Sequence, residues 1–180
     1  PERLIEDKTV NFLIELLHPV TFSPKEDIYY YENGVYQSGG EVIIRQILNK
    51  GLMPFRDIYN CPIISIKQSN EIVEKIRYTC MDSRDNFDKD LNIINMKNGL
   101  YNWTNGEFRE HTPDYKSLIQ IPVVYDPSAT CETTLEILKE ITPKEYYELA
   151  LEYMAYLFYR KYDIQISLIL YGPGGTGKSV

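Results

Sequence analysis

Residues 9–18, TVNFLIELLH, place apolar side chains at Val10, Leu13, Ile14 and Leu17, the spacing that lines one face of a helix. Pro19 follows, which predicts that this helix ends before it. In DIYYYENGVYQ, Asn33-Gly34 sits between two tyrosine-rich runs. That pair supplies the two positive-φ positions of a type I′ turn, so a hairpin is predicted. Gly39-Gly40 breaks the pattern, and EVIIRQILNKG returns to helical spacing with Gly51 placed to close it. MPFRDIYNCPIISIKQ carries two prolines and reads as an irregular connector. SNEIVEKIRYTC then reads as a helix capped by Ser69 or Asn70, and MDSRDNFDKD as a charged, solvated loop.

Asn98-Gly99 and Asn105-Gly106 mark two further turns among short β-type runs. They predict a small antiparallel meander with LIQIPVVY as its last strand. Residues 133–141 have the pattern of a short helix. Thr142-Pro143-Lys144-Glu145 has the form of a capping box with proline at the first helical position, which predicts a long helix over 143–161. ISLILY, residues 166–171, reads as a buried strand. The class predicted is α+β: antiparallel hairpins with packed helices, leading into the first strand of an α/β core. Three regions are expected: an N-terminal module over 1–66, a second domain over 67–163, and the start of a further α/β domain over 164–180.

Composition narrows the function classes. The net charge is −7 and the basic residues are scattered, so no counterion-displacing surface for duplex DNA is expected. No apolar run approaches the length of a bilayer span. The three cysteines are odd in number and widely spaced, which fits a reducing intracellular compartment better than a disulfide framework. The two histidines share no metal-ligand spacing. The sixteen tyrosines and Trp103 are read as half-buried packing rather than base-stacking groups.

The strongest chemical signal is Gly172-Pro173-Gly174-Gly175-Thr176-Gly177-Lys178-Ser179, which fits G-x-x-x-x-G-K-[ST] at each fixed position. Glycines let backbone amides turn inward around phosphate oxygens without a Cβ in the way. Lys178 is placed to reach the β- and γ-phosphates of ATP and is the catalytic candidate, and Ser179 is the Mg²⁺ ligand. The helix that begins at the lysine and the later acidic strand end would both lie beyond Val180. The chain is therefore expected to be a segment of a longer ATPase, inactive by itself.

The residues before this loop narrow the class of ATPase. NIINMKNGLYNWTNGEFREHTPDY, IQIPVVYDPSATC and a helix of the EYMAYLFY type resemble the phage and plasmid primase-helicase family, which includes poxvirus-type replicative NTPases. The resemblance covers about residues 70–180 and is carried by Asn95, Asn98-Gly99, His111-Thr112-Pro113 and Pro122 to Pro127. It implies a superfamily 3 core of AAA+ type, a hexameric ring, ATP and Mg²⁺ as cofactors, and a DNA helicase role in replicating a virus, phage or plasmid. DNA would be held mainly by the motor, with a primase or another replication protein as partner. Residues 1–66 match no motif of that family. His111 is read as a turn-stabilising residue rather than a base. A non-catalytic module for oligomerisation or partner binding is the alternative, and another phosphate-loop NTPase or kinase a weaker one.

Overall fold

The computed structural model describes residues 2–51, 64–161 and 163–175. Its elements, in chain order, are α1 (Glu2–Leu17), β1 (Tyr30–Glu32), β2 (Val35–Gln37), α2 (Gly40–Gly51), α3 (Ile66–Thr79), β3 (Ile93–Met96), β4 (Gly99–Asn102), β5 (Phe108–Arg109), α4 (Glu132–Ile141) and α5 (Tyr147–Tyr156). The class is α+β, as the sequence predicts.

The apolar stripe of α1 is the reason it packs. Val10, Leu13 and Leu17 are buried with Ile28, Ile44 and Leu48, and with Ile64, Ile72, Val73 and Ile76 on and before α3. Each such side chain gains roughly 1.5–3 kcal/mol on leaving water, which more than offsets the weak helix propensity of its β-branched members. His18 adopts φ +43 and its amide donates to the Ile14 carbonyl at 2.9 Å, closing α1 with a left-handed residue just before Pro19. Arg77 is buried and pairs with Glu41 at 2.5 Å, tying α3 to the first turn of α2.

The first hairpin forms as predicted: Tyr30 pairs with Gln37 and Glu32 with Val35, and Asn33 and Gly34 have φ +50 and +88. β3, β4 and β5 make an antiparallel sheet in that order. Gly99 contributes differently from the prediction. It is the first residue of β4, paired with Met96, and the turn is Lys97-Asn98. A Cβ at Gly99 would lie 2.5 Å from both the Arg109 carbonyl oxygen and the Phe108 ring, so glycine there permits close approach of β5.

Several expectations are corrected. α3 starts earlier than predicted: Ser65, not Ser69 or Asn70, is the cap, in a reciprocal box with Gln68. Residues 52–63 of the predicted connector lie outside the described residues. Gly51 is the last residue of α2 itself. LIQIPVVY forms no strand; its pairing with the sheet is limited to a parallel bridge between Met96 and Ile121, because Pro122 has no amide to continue a ladder. Thr142 makes no capping bond. It ends α4 with extended backbone, and a 3-10 turn at Lys144–Tyr146 precedes a shorter α5. ISLILY is no strand among the described residues. Ile169 and Tyr171 are 84% and 100% exposed, and no neighbouring strand accepts a ladder there.

The 81–90 loop is organised rather than merely solvated. Phe87 is buried against Val20 and Tyr36. Asp82 is paired with Lys116, and that hydrogen bond holds its carboxyl below the usual range. Asp88 accepts from the Ser117 hydroxyl at 2.6 Å and the Leu118 amide at 3.0 Å. The depressed Asp82 carboxyl contributes stability above its unfolded pKa and loses that contribution as pH falls through the folded value.

Burial also pushes the Cys80 thiol up to about 11, whereas Cys131 is exposed. In a Cys61→Ser background near neutral pH, a thiol reagent should therefore label Cys131 fast and Cys80 much more slowly. Equal rates for the two in the native protein would contradict the packing of α3.

Candidate functional site

The residues that carried the resemblance converge on one junction. Asn95, on β3, is buried. Its side-chain amide donates to the Gly34 carbonyl at 2.8 Å, and its Oδ1 faces His111 Nε2 at 3.1 Å. Met96 O lies 2.9 Å from the same nitrogen. Both partners of Nε2 are oxygen acceptors, so Nε2 carries the proton and is committed to holding β3. Gln120 Nε2 donates to Asn33 O at 2.8 Å and reaches Asn95 Oδ1 at 3.4 Å. The first hairpin, the meander and the 111–121 segment thus meet on one buried amide.

Around it, the other signature residues act as clasps. Asn98 accepts from the Tyr125 amide at 2.8 Å and donates to the Tyr125 carbonyl at 3.0 Å. Tyr125 then stacks on Tyr101 at 4.7 Å and lies 4.9 Å from Phe108, centroid to centroid. Tyr36, on β2, donates its hydroxyl to the Pro113 carbonyl at 3.1 Å, and burial pushes that phenol up to about 12. Gly34 lies beneath His111: a Cβ there would sit 2.4 Å from the imidazole. The sequence predicts a turn-stabilising residue; His111 instead holds β3 through Asn95 and Met96 while lying over Gly34 of the first hairpin.

Arg160 has no sequence signal that marks it. It donates to Ile93 O at 3.1 Å and to Asp88 O at 3.2 Å, fastening the segment that leads to the phosphate loop onto the junction. Beside it lies an apolar groove of about 420 Å³ between the sheet and α5, lined mainly by Ile94, Trp103, Tyr156, Phe158, Tyr159 and Ile164.

Of the phosphate-loop residues, Gly172 to Gly175 are among the described residues. Gly174 and Gly175 form a turn, Gly175 has φ +80, and among the described residues nothing lies within 4 Å of a Cβ built at either. An accessible backbone turn with a left-handed glycine is compatible with phosphate oxygens approaching its amides. Gly172 and Pro173 precede it without regular structure, and Thr176, Gly177, Lys178 and Ser179 lie outside the described residues.

The family described as D5 N terminal like matches residues 11–143. That span is most of the chain and contains every signature residue of the junction. The chain belongs to the D5 N terminal like family. This is a domain of primase-helicase-type proteins, consistent with a role in replication. The family match begins well before residue 70 and takes in α2, the first hairpin and the C-terminal part of α1, where the sequence shows no recognisable motif. It ends before α5 and the phosphate loop. No curated protein matches the chain.

Proposed function

We propose that this chain is the N-terminal portion of an ATP-dependent replicative DNA helicase of superfamily 3, of primase-helicase type, from a virus, phage or plasmid. The observation that carries the reading is the order of two signals: a D5 N terminal like domain over 11–143, then G-x-x-x-x-G-K-S at 172–179. ATP with Mg²⁺ is the cofactor, with Lys178 at the phosphates and Ser179 at the metal. The unpaired apolar run 166–171 becomes the first strand of the AAA+-type sheet once neighbours are present to accept its ladder. The working form is a hexamer acting inside the cell, with a primase or other replication protein as partner and DNA held mainly by the motor.

The test is a steady-state ATPase and unwinding assay on a protein that carries this chain together with the sequence that completes the ATPase domain. Absence of ATP hydrolysis by a folded, oligomeric preparation would sink the reading.

The alternative, a non-catalytic module for oligomerisation or partner binding, draws on α4 and α5, neither of which has a buried residue. A ten-residue helix as apolar as α5 is normally covered. The two readings are compatible within one protein.

For the 180-residue chain, weak binding of duplex DNA is expected at physiological salt, because its charge is −7 without a basic block. Fluorescence anisotropy showing submicromolar affinity for a duplex would refute the charge argument.

A further inference from the structure

We propose that the groove between the sheet and α5 takes a base of single-stranded nucleic acid, with Lys161 meeting the adjoining phosphate. The walls are the first reason. Trp103, Tyr156, Phe158 and Tyr159 are aromatic, with Ile94 and Ile164 completing the lining. Trp103 and Phe158 are 37% and 50% exposed, so ring surface faces the solvent side.

The rings are also held in place. Tyr156 donates its hydroxyl to Ile164 O at 2.7 Å. Tyr159 donates to the Asp163 carboxylate, with its oxygens at 2.8 and 2.9 Å. The Trp103 indole N–H donates to Leu91 O at 3.3 Å. With their polar ends occupied, these side chains offer π-faces and no hydrogen-bond code. That is the composition of a sequence-tolerant stacking platform. Trp103 and Tyr159 stand 5.8 Å apart, and Tyr156 and Tyr159 6.1 Å, centroid to centroid.

Charge selects among occupants. Lys161 Nζ lies 5.6 Å from the Trp103 ring centroid and makes no ion pair with a described residue, so it is available to a phosphate. The nearby carboxylate of Asp163 is engaged by Tyr159. An aliphatic side chain of another protein would have no use for the cation. A duplex keeps its bases stacked inside and cannot offer one to the groove. This site extends the replication reading but does not depend on ATP hydrolysis, so the two fail separately.

Trp103 is the single tryptophan of the chain, and its fluorescence reports occupancy directly. Titration with an oligothymidylate of about eight nucleotides at low salt should quench it saturably, and a labelled oligonucleotide should give the same affinity by anisotropy. Tyr159→Ala should weaken binding about tenfold, while Tyr159→Phe, which keeps the ring but releases the Asp163 carboxylate, should weaken it clearly less. Lys161→Gln should flatten the log–log salt dependence by about 0.7, the contribution of one single-strand phosphate. Lys67→Gln, on the exposed start of α3, should change neither. Should Tyr159→Ala lose its circular-dichroism signature, Phe158→Ser and Lys161→Gln carry the test, both expected to weaken binding. The proposal is overturned by absence of quenching, by equal binding of a duplex, or by variants that bind like the wild type. It is equally overturned if Trp103 responds to protein concentration alone, which means a second copy, or to a leucine-rich peptide and not to the oligonucleotide.

Discussion

Replacing Lys178 by alanine in a protein that carries this chain and a complete ATPase domain should reduce ATP hydrolysis by about 10²–10³-fold. The argument begins with charge. A triphosphate bound in a glycine loop is held by backbone amides, which are partial charges, and by one full positive charge that can follow the terminal phosphoryl group as its bonds change. On the reading proposed above that charge is Lys178, six residues after Gly172. The glycines remain in the variant, so binding should weaken less than turnover. Lys178→Arg is expected to be inactive as well, because a planar guanidinium is not a point charge on a flexible stem. Steady-state turnover and nucleotide affinity, measured on the same preparations, separate the two effects. Wild-type turnover in Lys178→Ala would mean that the motif is an ordinary glycine turn.

Local chemistry made part of this architecture readable in advance. Asn33-Gly34 dictated its hairpin because both positive-φ positions are set by adjacent residues, and Pro19 marked the end of α1 because it follows the last apolar position of the stripe. Errors arose where a local signal had a competitor. Ser65 and Gln68 form a capping box, yet they lie in a stretch whose prolines read as irregular. Thr142 to Glu145 spell the same box without forming it: Pro143 takes the cap position, with ψ 140, and Thr142 before it is held extended. LIQIPVVY has strand composition, but Pro122 and the Asn98 clasp leave it a single bridge to the sheet. The signature residues could be recognised as a pattern, whereas their contacts could not. Asn95 reaches Gly34 across 61 positions of sequence and Gln120 across 25, and no spacing rule spans such loops. Arg160 was invisible for the same reason, since one arginine after an apolar helix says nothing of Ile93 or Asp88.

Asn95→Leu should cost about 2–4 kcal/mol of stability, from orphaned partners that each cost about 1–3 kcal/mol when buried without a bond. Leucine matches the amide closely in size, so the cost comes from hydrogen bonding rather than a cavity. The Gly34 carbonyl loses its donor, and His111 and Gln120 lose the Oδ1 they share. His111 retains Met96 O and Gln120 retains Asn33 O, which places the expectation below the sum of three full penalties. Asn95→Asp keeps the acceptor for His111 and Gln120 but sets an oxygen against the Gly34 carbonyl, so it too should destabilise. Asn98→Ala is the contrast: its clasp on Tyr125 is exposed, water can replace it, and about 0.5–1.5 kcal/mol is expected. Urea denaturation with an unchanged m-value measures all three variants. If Asn95→Leu proved no more costly than Asn98→Ala, the buried amide would not be what joins the first hairpin to the meander. The family signature would then need another explanation.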